Sequence, residues 1–199
     1  MKVIGLVGTT GSGKGAVSEF FKEFGFAVID TDAVYHEMTR GPSPCLDELR
    51  LAFGEKIIRA DGALDRAGLS GIVFAIGAEE KRALLNKIAH KHVLDEVRRT
   101  VSELEKKDTP LVIVDAPLLF ESGFDKECDS ILCVSAGKDV RVERIIRRDG
   151  ITKERALRRI AAQKDDSELE RLSDFVIENN GDLTTLKAQV GDFISKIFN

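Results

Sequence analysis

The stretch Gly8-Thr9-Thr10-Gly11-Ser12-Gly13-Lys14-Gly15 restricts this chain more than any other. It follows the apolar run Val3-Ile4-Gly5-Leu6-Val7, suited to a buried strand, and precedes Ala16-Val17-Ser18-Glu19-Phe20-Phe21, whose apolar spacing suits a helix. Strand, glycine loop and helix form a phosphate-binding context. The glycines let backbone N–H groups turn inward, the helix N-terminus adds partial positive charge, and Lys14 reaches the outer phosphates of a nucleoside triphosphate. The pattern G-x-x-x-x-G-K is complete, but the next position, where Ser or Thr offers Mg²⁺ a hydroxyl, holds Gly15. Ala16 offers no substitute hydroxyl.

The 199 residues predict one compact domain with room for inserts, and 43% hydrophobic residues can fill its core. A net charge of −4 gives no global attraction to nucleic acid or to an anionic membrane, so anionic ligands must be met by local clusters. The three cysteines, Cys45, Cys128 and Cys133, have no C-x-x-C spacing and suit buried thiols in a reducing compartment. With Lys2 leading straight into a strand and no apolar run of membrane-spanning length, the expectation is a cytoplasmic protein without a signal peptide.

Phe26 to Ile29 reads as a second strand ending at Asp30-Thr31-Asp32, with helix resuming from Ala33 to Thr39. Ligands of open α/β sheets sit beyond the carboxyl ends of the strands, so these aspartates are expected near the phosphates. One of them is a candidate catalytic base, although Asp32 also suits a helix cap. Beyond the turn Arg40-Gly41-Pro42-Ser43-Pro44 the chain is mostly helical to about Lys107: Cys45 to Phe53, Arg66 to Ala75, and a long segment from Ala78. In that segment Leu84, Leu85, Ile88, His92, Val93, Val97, Val101 and Leu104 make one buried face, with His92 a packed core histidine. His90, on another face with Asn86, is the better candidate for a ligand contact.

Leu111 to Val114 is the most β-prone run, and Asp115 closes it as the carboxylate that would hold Mg²⁺ beside a phosphate loop. Ala116 to Gly123 is expected to be a loop with an apolar wall, and Ser130 to Val134 a fourth strand. From Lys138 to Arg159 there are nine Lys or Arg against four Asp or Glu, with Arg141, Arg144 and Arg148 on one side of a helix. Gly150-Ile151-Thr152 divides this stretch from a further helix over Lys153 to Gln163, giving a hairpin able to close over triphosphate, or else a solvated charged helix. Phe175 to Ile177 is a last strand, followed by Asn179-Asn180-Gly181 and an amphipathic helix over Asp182 to Phe198. Strands alternating with helices predict an α/β parallel sheet.

Read together, these stretches resemble the dephospho-CoA kinase family of the P-loop kinase fold. The resemblance rests on G-T-T-G-S-G-K-G at Gly8 to Gly15, V-I-D-T-D at Val28 to Asp32, F-G at Phe53-Gly54 and D-G-x-L-D-R at Asp61 to Arg66. It continues through L-N-x-I-x-H at Leu85 to His90, P-L-L-F-E at Pro117 to Glu121, R-I-A-A-Q at Arg159 to Gln163 and D-F-V-I-E-N-N-G at Asp174 to Gly181. It implies ATP-dependent, Mg²⁺-assisted phosphorylation of the ribose 3′-hydroxyl of dephospho-CoA.

Carried over by position, Asp32 resembles the general base, and Gly8, Thr10, Gly11, Ser12, Gly13, Lys14, Gly15 and Ala16 the ATP cradle. Residues 40–107 resemble a helical acceptor insert, with His90 and the Pro117, Leu118, Leu119 and Glu121 stretch facing the acceptor. Arg141, Arg144 and Arg148 fall in a lid over 138–163, Asn179, Asn180 and Gly181 lie beside the adenine, and the nucleotide core comprises 1–39, 108–137 and 164–199. A monomer or small homo-oligomer is expected. Gly15, Lys91 and Glu170 depart from the family pattern, standing where Ser or Thr, proline and lysine are usual.

The sequence leaves two other readings open. Gly-Lys-Gly also occurs in adenylate-kinase-like loops, which favours a nucleoside or nucleoside-monophosphate kinase. The missing hydroxyl favours a weakly catalytic ATP-binding regulatory module.

Overall fold

The computed structural model of the protein describes residues 1–163 and 166–199; Lys164 and Asp165, which open the third segment of the expected nucleotide core, lie outside the described residues. In chain order the elements are β1 (Lys2–Val7), α1 (Lys14–Glu23), β2 (Ala27–Asp30), α2 (Thr31–Met38), α3 (Pro44–Phe53), α4 (Arg66–Val73) and α5 (Glu79–Glu105). They continue with β3 (Leu111–Asp115), α6 (Leu119–Ser122), β4 (Ser130–Ser135), α7 (Lys138–Asp149), α8 (Lys153–Ala161), α9 (Asp166–Arg171), β5 (Phe175–Glu178) and α10 (Leu183–Phe198). The chain forms two compact units, Met1–Ile29 with Leu104–Asn199, and Asp30–Glu103. The described residues contain no helix long and apolar enough to cross a membrane.

The first unit is built on a sheet of strand order β2-β3-β1-β4-β5, in which β1 pairs in parallel with β3 and β4, and β4 with β5. Every residue of β3 is buried, the signature of a central strand covered on both faces. On one face α1 supplies Val17 and Phe21, and α10 supplies Leu186, Val190, Phe193 and Ile197, positions that recur at helical spacing. Phe21 meets Phe193 edge to face with ring centroids 5.9 Å apart. The crossover from β1 runs past β3 to the edge strand β2, whereas the crossover from β3 runs past β1 to β4, so the connections change direction between β1 and β3. The glycine loop follows β1 and therefore stands at the switch point where open sheets bind ligands.

The second unit packs α2, α3, α4 and part of α5 around Cys45, Leu46, Leu49, Phe53, Ile57, Leu69, Val73 and Ile88. Ser43 caps α3 by accepting from the Leu46 N–H at 3.0 Å, with Pro44 in the first turn, and Asp65 caps α4.

Several local expectations change. The cap of α2 is Asp30, whose extended backbone lets one carboxylate oxygen accept from the Asp32 and Ala33 N–H groups at 2.9 and 3.0 Å; Asp32 sits inside the first turn. The stretch after Asp115 contains the short helix α6, ended by Gly123 at φ 77°. Leu84, expected on the buried face of α5, is exposed near the start of the helix. His92 is no apolar core residue: its Nε2 lies 2.7 Å from Glu48 Oε2, which also accepts from Lys91 Nζ at 2.8 Å. α5 runs unbroken through Lys91.

All three cysteines are free. Burial pushes the Cys45 thiol up to about 11, and the Cys128 and Cys133 thiols up to about 12. Because the thiolate is the nucleophile, iodoacetamide at pH 7.5 is expected to leave the folded protein unmodified while alkylating the urea-unfolded chain. Rapid labelling of the folded protein would contradict this.

Candidate active site

The glycine loop is held from beneath by side chains that bind its carbonyl groups. Asn179, buried just past β5, donates from Nδ2 to Ser12 O at 2.8 Å, while its own N–H reaches Ser135 O at 2.8 Å. Arg144 donates to Ser12 O and Gly11 O at 3.3 and 3.4 Å, and to Asn179 Oδ1 at 3.2 Å. Arg141 donates from Nε to Thr10 O at 2.9 Å. With its carbonyls engaged below, the loop keeps backbone N–H groups for an anion. Gly13 at φ 96° begins α1, and a Cβ there would collide with Asn179 Nδ2, so backbone shape and packing both demand glycine. Gly11, at φ 82°, approaches the backbone of Arg141: a Cβ would lie 2.9 Å from Arg141 O.

Lys14 opens α1 and pairs through Nζ with Asp115 Oδ1. Ser18, four residues along the same helix face, donates to Asp115 Oδ2 at 2.6 Å. Gly15 faces open space: a Cβ there meets nothing within 4 Å. A nucleoside triphosphate and its Mg²⁺ fit this donor set. Ser12 Oγ and Arg141 Nη2 are buried polar atoms without a partner beside the loop, and a hard cation that takes most of its oxygens from phosphate and water needs only a carboxylate such as Asp115 from the protein.

Arg141, Arg144 and Arg148 of α7 differ in kind. Arg141 is 2% exposed and pairs with Asp166, which also accepts from the Thr9 hydroxyl. Arg144 is partly buried beneath the loop. Arg148 is more open, shares Asp149 with Arg159, and reaches Thr10 Oγ1 only at 3.5 Å. Thr10 N–H donates to Gln163 Oε1 at 2.8 Å. Asn180 Oδ1 accepts from Gly137 N–H at 2.7 Å, and Gly181 leads into the Asp182 cap of α10. Sequence reasoning missed Thr9, Ser18, Gln163 and Asp166. Thr9 lies in the glycine stretch, Gln163 ends R-I-A-A-Q and Ser18 is spaced four from Lys14, whereas Asp166 carried no local signal.

In α6 and the residues before it, Pro117, Leu118 and Glu121 are exposed, whereas Leu119 is fully buried against Gly5. Asp32, in the first turn of α2, and His90, half-buried on α5, belong to the second unit. Asp115, Arg141, Arg144, Arg148 and Asn179 are thus brought together around the loop, and Asp32 and His90 sit on elements of the other unit.

Residues 2–185 match the family model described as dephospho-CoA kinase, CoaE. A dephospho-CoA kinase of Corynebacterium glutamicum is 38% identical over 194 residues, covering 98% of this chain and 96% of the relative, and one of Listeria monocytogenes is 37% identical with the same coverage. A crystal structure from Thermus thermophilus is 31% identical and superposes with a TM-score of 0.81 over 98% of this chain and 97% of its own. A dephospho-CoA kinase from Campylobacter jejuni, 24% identical, shares the fold at a TM-score of 0.73 over 99% of this chain and 98% of its own.

Proposed function

The chain belongs to the dephospho-CoA kinase family and transfers the γ-phosphoryl group of ATP to the ribose 3′-hydroxyl of dephospho-CoA, giving coenzyme A and ADP; from that premise we propose how its residues divide the work. The observation that carries the division is the braced glycine loop with Lys14 and Asp115 at its mouth.

N–H groups of the stretch from Gly8 to Ala16, among them those of Gly11, Gly13, Lys14 and Gly15, and the Lys14 ammonium hold the β- and γ-phosphates. Asp32 accepts the proton of the 3′-hydroxyl as its oxygen attacks the γ-phosphorus, and the bond to the β–γ bridging oxygen breaks with ADP leaving. Arg148 and Arg144 stabilise charge on the group in transit, while Arg141, buried under the loop, keeps the loop in shape. Asp115 holds Mg²⁺, which when bound neutralises phosphate charge. His90 on the helical unit is assigned to the acceptor, as are Pro117, Leu118 and Glu121 on the first unit, where Leu119 anchors that wall in the core. Residues 138–163 serve as the lid, and Asn180 and Gly181 flank the adenine. Catalysis then comes from positioning and electrostatics, with no covalent intermediate on the protein. Free thiols suit a cytoplasmic enzyme, and a monomer or small homo-oligomer is sufficient for this division.

The Gly15 position tests the metal part of this reading. Serine fits there without a clash, so Gly15→Ser is expected to lower the Mg²⁺ concentration for half-maximal rate below that of the parent, which is itself active. Titrating Mg²⁺ at fixed ATP checks it; identical curves would show that a hydroxyl at this position is dispensable. A parent without turnover, revived by the substitution, would favour a regulatory ATP-binding module.

A further inference from the structure

The metal-side carboxylate has a hydroxyl partner in this protein, although position 15 does not supply it. Ser18 donates to Asp115 Oδ2 at 2.6 Å from within α1, and it is 5% exposed. The other carboxylate oxygen takes Lys14 Nζ. These two contacts differ in permanence. Lys14 stands at the helix end, 18% exposed, on a flexible stem, and triphosphate competes with Asp115 for its charge. Ser18 sits a full turn deeper, its short side chain fixed between α1 and the end of β3, two elements of one packed core.

We propose that Ser18 is a positioning residue that stands in for the hydroxyl missing at position 15: it fixes the Asp115 carboxylate so that Mg²⁺ arriving with ATP meets an oriented oxygen even after Lys14 turns to the phosphates. The inference rests on Asp115 being the metal-side carboxylate. It assigns Ser18 no contact with ATP or the metal. A hydroxyl that oriented the ligand carboxylate would act on metal affinity as outer-shell partners generally do, while leaving metal-free nucleotide binding alone. A hydroxyl that served only to satisfy a buried acceptor would act on folding stability and on nothing else.

The test is calorimetric binding of ATP without acceptor, with and without Mg²⁺, for the parent, Ser18→Ala, Asp115→Asn and the double variant Gly15→Ser with Ser18→Ala. Thermal melting of each protein is recorded alongside. Ser18→Ala is expected to raise the half-saturating Mg²⁺ concentration about tenfold, with metal-free ATP affinity held within about twofold. The double variant is expected to recover most of that loss, because serine fits at position 15 and returns a hydroxyl to this end of α1. If Ser18→Ala follows the parent Mg²⁺ curve while Asp115→Asn departs from it, the role of Ser18 is overturned and the metal reading stands. If neither substitution moves the curve, the metal reading falls as well. A double variant as weak toward Mg²⁺ as Ser18→Ala alone would overturn the claim that the two positions substitute for one another.

Discussion

Asp32→Asn is expected to lower kcat by about 10²- to 10⁴-fold while ATP affinity stays within about twofold, the pattern of a lost general base. The neighbouring Asp30 provides the control. Its carboxylate caps α2 by accepting from the N–H groups of Asp32 and Ala33, a task that asparagine performs nearly as well. Asp30→Asn is therefore expected to keep both stability and rate close to the parent. Steady-state kinetics with dephospho-CoA, and calorimetry with ATP, measure the two sides of the claim. Equal kcat for Asp32→Asn and the parent would remove Asp32 from the chemistry, and a larger loss for Asp30→Asn would exchange the two roles.

Gly13→Ala is expected to cost at least about 100-fold in kcat/KM for ATP, since displacements near 1 Å at a positioning element suffice for that. Two penalties combine. The left-handed backbone at φ 96° costs an L-residue about 1–2 kcal/mol, and the new methyl would run into Asn179, whose amide holds Ser12 O. Either the loop or its brace must move. Gly15→Ala separates this effect from a general intolerance of the loop to side chains. At Gly15 a methyl meets nothing within 4 Å, and alanine inside a helix is favoured over glycine by roughly 0.5–1 kcal/mol. Its Tm is expected to equal or exceed that of the parent. A Gly13→Ala protein with parent-like ATP kinetics would show that the brace yields without consequence.

Much of this architecture was legible because its signals are local. Glycine spacing after an apolar run marks the phosphate loop, the run Leu111 to Val114 marks a strand buried on both faces, and the apolar spacing of α10 marks its packed stripe. What the sequence obscured depends on partners far along the chain. Arg141 reads as a lid charge, yet it is buried, with Asp166 and the Thr10 carbonyl engaging Nη1 and Nε while Nη2 keeps no partner. His92 falls on an apolar helix face, and its carboxylate partner Glu48 is 44 residues away. Asn179, expected beside the adenine, is brought by the sheet beneath Ser12, where its amide braces the loop. Two aspartates two positions apart at the start of a helix offer the same capping chemistry, and only the observed backbone assigns the cap to Asp30. The helix α6 spans four residues, too few for any periodicity to show.

The defining property of this kinase is its choice of acceptor. It is tested most directly by a coupled ADP-release assay under identical conditions with dephospho-CoA, AMP, UMP, dCMP and adenosine, the product of the first being identified by its new 3′-phosphate. Turnover is predicted to be fastest with dephospho-CoA, with coenzyme A and ADP formed in equal amounts. Faster turnover with any of the other four would contradict it.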